Sequence, residues 1–380
     1  MTMEEKAISR RSDNKQEYFR GCLVGGAIGD ALGYAVEFSS YPSIIAKYGK
    51  DGITKYDIKE GQKALISDDT QMTLFTANGI LIGKTRSIMR GICADPYCYV
   101  HSTYKDWLKT QGYKTECENK YSWLLDVPEL HHRRAPGNTC LTALKSKEMG
   151  TRENPLNTSK GCGAVMRIAP FGLAFGHLEN QNPQAFWDQS ANIGALTHGH
   201  HMSHLACALM SSIIGRIIYA SREQTDLTNL IKEAVNYMRA TISGYRHKEE
   251  FFDLMDKAIA LASNGKSDIE NIKNLGEGWI AEEALAIAIY CACKYQDDAI
   301  KGVISAVNHG GDSDSTGSIA GNILGAWAGI SAFGECWTGN LELKDVIIEI
   351  ADDLHFATVN NEEDMFDGNW ERKYCLAERP

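Results

Sequence analysis

The chain has 380 residues, of which 43% are hydrophobic and 23% charged, and its formal net charge is −10. Such a balance belongs to an ordinary globular protein with a sizeable core and excludes a disordered or fibrous chain. The acidic excess argues against a nucleic-acid partner, because a duplex binder needs a basic footprint to displace counterions from phosphate. The eleven cysteines, an odd number without a Cys-x-x-Cys pair, read as reduced thiols. With no apolar leader and no uninterrupted apolar run of membrane length, a cytoplasmic protein without membrane contact is expected.

Residues 1–15 are polar and lack an apolar period, so they are expected to form a flexible arm ahead of one domain spanning 16–380. From Tyr18 to Phe38 the chain carries Gly21, Gly25, Gly29 and Gly33, four residues apart. On a helix they form one stripe without side chains. Gly317, Gly321, Gly325 and Gly329 repeat the interval near the other end. Glycine costs a helix about 1 kcal/mol relative to alanine, so two such stripes imply backbones that approach closely enough to offset the loss. Apolar residues at intervals of three and four predict further helices over 69–83, 138–148, 183–196, 203–221, 226–242, 249–263, 281–307 and 342–358. Strand signals are scarce, so the expected fold is all-α. The stretch 93–136 reads as an irregular surface excursion.

Two acidic clusters stand at probable helix beginnings: Ser67-Asp68-Asp69-Thr70 and Gly310-Gly311-Asp312-Ser313-Asp314-Ser315-Thr316-Gly317. Either alone reads as a helix cap exploiting the positive end of the helix dipole. Together, beside glycine-rich helices, they point to a shared centre in which hard divalent cations balance the crowded carboxylates. His200 and His204 share a helical face and suggest zinc, but no glutamate or cysteine completes that set.

The sequence resembles the ADP-ribosylglycohydrolases from about residue 18 to about 332. The resemblance rests on five blocks in the family's order. They are Gly26-Ala27-Ile28-Gly29-Asp30-Ala31-Leu32-Gly33 with Glu37, Ser67 to Thr73, Gly161 to Arg167, Leu196-Thr197-His198, and Gly310 to Gly317. It implies a single orthogonal helical bundle. It also implies two divalent ions, Mg²⁺ or Mn²⁺, held by Ser67, Asp68 and Asp69 from one side and by Asp312, Asp314 and Ser315 from the other. The family more often has threonine at positions 67 and 315, and serine keeps the oxygen donor. Glu37, Asp69 and Asp314 take the catalytic positions, and Asp30 reads as a buried structural carboxylate. Ser159, Lys160, Gly161, Cys162 and Gly163 match a phosphate-cradling loop, and His198 and Trp279 match the surroundings of the nucleotide. A glycine-rich turn entering a helix is suited to pyrophosphate when its backbone amides are free.

The implied activity is removal of ADP-ribose from a modified protein side chain. Arginine is the preferred acceptor, because the stretch ending in Arg134-Ala135-Pro136-Gly137-Asn138-Thr139-Cys140 resembles the arginine-cleaving branch. Serine-linked ADP-ribose and O-acetyl-ADP-ribose are the alternatives. A reading of another class is an immunity protein whose arm occludes an ADP-ribosyltransferase toxin.

Overall fold

A computed structural model describes residues 3–115, 119–219, 226–359 and 368–375, with side chains from residue 15 onward. The described residues form helices joined by loops and short 3₁₀ turns, with no strand beyond two isolated bridges, Ala64 to Leu341 and Gly161 to Ile280. The all-α expectation holds. Helical backbone runs continuously over Met3–Tyr34, so residues 3–15, expected as an arm, lie in line with the first core helix.

That first helix packs antiparallel against the Ser313–Ala328 helix through the two glycine stripes. A methyl group added at Gly29 would lie 2.0 Å from the carbonyl oxygen of Gly317. At Gly25 it would lie 2.5 Å from that of Gly321, and at Gly21 2.3 Å from that of Gly325. The contact is reciprocal, since a methyl at Gly325 would stand 1.9 Å from the oxygen of Gly21. Gly33 completes the row against the backbone of Ser313. Gly329 also meets the row, since a methyl at Gly21 would lie 2.7 Å from its Cα. It ends its helix at φ 82°, a left-handed conformation that a side chain would strain. Asn322 seals the contact by donating from Nδ2 to the Cys22 carbonyl at 2.8 Å.

Most of the expected helices are present with small shifts at their ends, among them Asp68–Arg90, Pro183–Ala195, His201–Tyr219, Leu227–Thr241 and Lys344–Val359. Two expectations change. The predicted helix 281–307 is two helices, Ala281–Lys294 and Ala299–Val307, because the Asp298 side chain caps the second by accepting from the Lys301 amide at 3.0 Å. Within the supposed excursion 93–136, Pro96–Thr110 is a helix that buries Val100, Tyr104, Trp107 and Leu108 along one face. Proline stands at its first turn, where a missing amide costs nothing. The His201–Tyr219 helix is long and apolar enough to cross a membrane by length and composition, but 89% of it is buried within this fold, where it serves as a core helix.

The glycine contact predicts that Gly29→Ala and Gly317→Ala each destabilise the protein by about 3 kcal/mol or more, the range of severe overpacking. The midpoint of urea unfolding reads this directly. An unchanged or raised midpoint, as alanine would give in an uncrowded helix, contradicts the backbone contact.

Candidate active site

The antiparallel stripe brings the C-terminal end of the first helix, and Glu37 beyond it, to the N-terminus of the Ser313–Ala328 helix. The Asp68–Arg90 helix is tied to the same end by Asp30. Its carboxylate accepts from the amides of Ser67, at 2.9 and 3.0 Å, and Thr70, at 3.1 Å, and from the Thr70 hydroxyl. The structural role expected of Asp30 is thus specific: it positions the first acidic cluster from the last interval of the glycine stripe, between Gly29 and Gly33.

Around this junction Glu37, Asp68, Asp69, Asp312 and Asp314 gather, each 7% exposed or less. Ser315 Oγ donates to Asp69 Oδ2 at 3.4 Å, linking two clusters 246 residues apart. Ser67 Oγ reaches the same oxygen at 3.3 Å, and the Gly137 amide donates to Asp68 Oδ2 at 3.2 Å. Ser67 also caps its helix through the Asp69 amide, and Asp312 caps the other through the Ser315 amide. The capping and clustering readings are therefore both realised in the same residues.

No lysine or arginine pairs with any of these five carboxylates among the described residues. Burial is the first cause of their shifts, and for Glu37, Asp68, Asp69 and Asp314 repulsion from neighbouring carboxylates adds to it. Glu37 is pushed up to about 8 by burial and by the charges of Asp312, Asp68 and Asp30, while its contact with Asp314 acts the other way. Burial also raises Asp68 to about 8 and lifts Asp69 and Asp314 well above the carboxylate range. Asp69 Oδ1 and Glu37 Oε2 are buried without a hydrogen-bond partner. Unsatisfied carboxylate oxygens amid serine hydroxyls form a donor set suited to a hard divalent cation. Among the described residues no three His, Cys, Asp or Glu side chains already stand in a chelating arrangement. His204 and His200 are occupied elsewhere, with His204 Nε2 bonded to the His198 carbonyl at 2.9 Å and His200 Nδ1 accepting from the Met202 amide.

The loop from Ser159 to Gly163 forms one wall. It pairs with the Trp279 segment, since the Cys162 amide donates to the Trp279 carbonyl at 3.1 Å and the Ala281 amide to that of Lys160 at 2.8 Å. Two loop amides expected to be free are therefore engaged, because Gly161 N also donates to Ser159 Oγ at 3.3 Å. Lys160 is turned to Glu282, at 2.6 Å. His198 lies beneath the loop, and a methyl at Gly161 or Gly163 would come within 3.0 Å of its ring. Burial and the neighbouring Arg167 push His198 down to about 3, so it is a neutral imidazole.

Three contacts escaped sequence reasoning. The Cys162 thiol donates to Asp312 Oδ2 at 2.7 Å, fastening the loop to the acidic centre. His309 accepts from the Gly311 amide and bonds Thr316 Oγ1 at 2.9 Å, bracing the second cluster from behind. Phe38, next to Glu37 and 77% exposed, stacks on the 40%-exposed Trp279 at 6.1 Å between ring centres.

The raised carboxyls predict an inverted pH dependence. They bind protons more tightly folded than unfolded, so in chelator the stability they carry is present near pH 5 and is lost as pH rises towards 8. Melting in EDTA is expected at a lower temperature at pH 8 than at pH 5.5, with Asp68→Asn flattening the difference. A melting temperature that climbs across this window contradicts the shifts.

The ADP-ribosylglycohydrolase family profile matches residues 11–364. The chain is 26% identical over 337 residues to ADP-ribosyl-[dinitrogen reductase] glycohydrolase of Rhodospirillum rubrum, covering 85% of this chain and 90% of that protein. It is 23% identical over 363 residues to ADP-ribosylhydrolase ARH3 of Mus musculus, covering 89% and 90%. A solved structure, an ADP-ribosylglycohydrolase-related protein complex, shares the fold with a TM-score of 0.55 and 20% identity, covering 91% of this chain and 100% of that one. With the profile spanning nearly its whole length, the chain belongs to the ADP-ribosylglycohydrolase family, whose members hydrolyse ADP-ribose from modified targets.

Proposed function

We propose that the protein removes ADP-ribose from modified arginine side chains of a protein substrate, using two divalent cations, Mg²⁺ or Mn²⁺. The observation that carries this reading is the meeting of Asp69 and Ser315 from opposite parts of the chain, amid carboxylates with no basic partner. Ser67, Asp68 and Asp69 would hold the cations from one side, and Asp312, Asp314 and Ser315 from the other. Bound there, the cations supply charge to anchor ribose hydroxyls and to lower the pKa of a water.

The remaining work falls to the chain itself. Glu37 has one buried unpartnered oxygen and holds its proton near neutral pH while the site is free of cations. With its acidic neighbours neutralised, Glu37 would be ionised near neutral pH and could take a proton from the attacking water, then hand that proton to the leaving group. Ser159 to Gly163 and His198 shape the wall against which the nucleotide lies. The exposed Phe38 and Trp279 rings, close in sequence to Glu37 and to the Gly278 that borders Asp312, offer flat faces to a guanidinium, which favours arginine as acceptor. The Rhodospirillum rubrum relative, as its name states, acts on an ADP-ribosylated protein, dinitrogen reductase.

Purified protein is expected to release free ADP-ribose, identified by mass, from an ADP-ribosylarginine peptide, and to stop in chelator. Asp69→Ala and Asp314→Ala each reduce kcat by about a thousandfold or more. Phe38→Ala raises KM by about tenfold with kcat little changed. Faster turnover of serine-linked or O-acetyl-ADP-ribose reassigns the acceptor, and undiminished turnover in both aspartate variants rejects the mechanism.

A further inference from the structure

A cavity of about 620 Å³ opens between the far end of the Asp68–Arg90 helix, the Ala169–Phe175 helix and the start of the Pro183–Ala195 helix. Its size falls within the roughly 300–1,000 Å³ of small-molecule sites. Lys84, on its wall, is sixteen residues from Asp68 along one helix, about 24 Å at 1.5 Å per residue, so this cavity is separate from the acidic centre.

Ile80, Ile88, Phe171, Phe175, Leu178 and Phe186 make most of the wall apolar. Lys84 is the lysine of the lining. Its Nζ donates to the Ala174 carbonyl at 3.2 Å and lies 4.9 Å from the centre of the Phe175 ring. No carboxylate pairs with it among the described residues. An ammonium has three donors, so two remain for a ligand. The acid of the lining, Asp95, is exposed at the rim and accepts from Gln189 Nε2 at 2.7 Å. His177, also on the wall, is held below its ordinary pKa by burial and by the charges of Lys84 and Lys15, which disfavours a second positive charge there. A half-buried cation facing an apolar cavity without a counterion is complementary to one negative charge on an apolar body.

We propose that this cavity binds a medium-chain carboxylate, with its carboxylate on Lys84 and its hydrocarbon along Phe171, Phe175 and Phe186. Burial lowers Lys84 to about 8, which leaves it charged at neutral pH, and a bound carboxylate reinforces that charge. Lys84 is the lysine of the lining, and one ammonium balances the single charge of a carboxylate rather than the double charge of a phosphate. Neither the cavity nor its ligand depends on the hydrolytic reading above.

The test is calorimetric titration of the full-length protein with decanoate at pH 7, with 1-decanol as the uncharged probe. Saturable one-to-one binding of decanoate is expected. Lys84→Met keeps an apolar stem of similar length and should weaken decanoate by about tenfold or more while leaving decanol unchanged. Ala185→Trp, at the exposed mouth, should weaken both probes and does not touch the buried wall. Equal decanoate affinity in Lys84→Met overturns the proposal, as does the absence of saturable binding, the result expected if a segment of the chain itself fills the cavity. Should Lys84→Met fail to fold, decanoate binding undiminished by Ala185→Trp overturns it independently.

Discussion

The backbone of Gly29 lies so close to that of Gly317 that no side chain fits between them, and the position of every group at the candidate site follows from this contact. Two helices that meet through side chains keep their axes about 8–10 Å apart and can slide as the side chains repack. Helices that meet through carbonyl oxygens and glycine Cα atoms have no such compliance. The row from Gly21 to Gly33 against Gly325 to Ser313 therefore sets the register of two elements from opposite ends of the chain. Glu37 and Asp312 to Ser315 are displayed just past the end of that row.

Asp30 extends the same frame to a third element. It sits one residue beyond Gly29, buried, and its carboxylate is satisfied by Ser67 and Thr70 rather than by a cation. The neighbouring carboxylates are left differently. Asp69 Oδ1 and Glu37 Oε2 lack partners although both are buried, a costly state in a fold that satisfies most of its buried polar groups. One carboxylate saturated and two with an unpartnered oxygen, gathered at one junction, separate the group that builds the site from those available to bind something in it.

Much of this was legible in the sequence because it is written in spacing. Glycines four apart can face a neighbour in only one way on a helix, and acidic residues among hydroxyls at helix starts announce themselves by composition. What the sequence left unread lies in contacts between residues that carry no pattern. The Cys162 thiol meeting Asp312 pairs a common residue with a distant one, and Phe38 against Trp279 joins two aromatics whose separate surroundings give no hint of each other. The Pro96–Thr110 helix was obscured because polar and aromatic residues interrupt its apolar face. Its anchoring is side-chain specific, with Trp107 Nε1 and Gln111 Nε2 both donating to Gln71 Oε1 at 3.1 Å. The break near Asp298 turns on one capping hydrogen bond, a detail that hydrophobic periodicity does not register. The loop amides of Gly161 and Cys162 show the opposite error, since a glycine-rich motif suggested open donors that the fold itself occupies.

The bond from Asn322 to Cys22 closes a span of 300 residues, and this has a bearing on how the protein is made. Closing a loop of that length is entropically slow, and the contacts that reward it exist only once the last glycine row has emerged from the ribosome. A nascent chain can pack its middle helices while the first helix, its glycine face bare, waits for a partner. The acidic centre therefore cannot assemble until residues 312–325 have been made, and a fragment that ends before them lacks half of it.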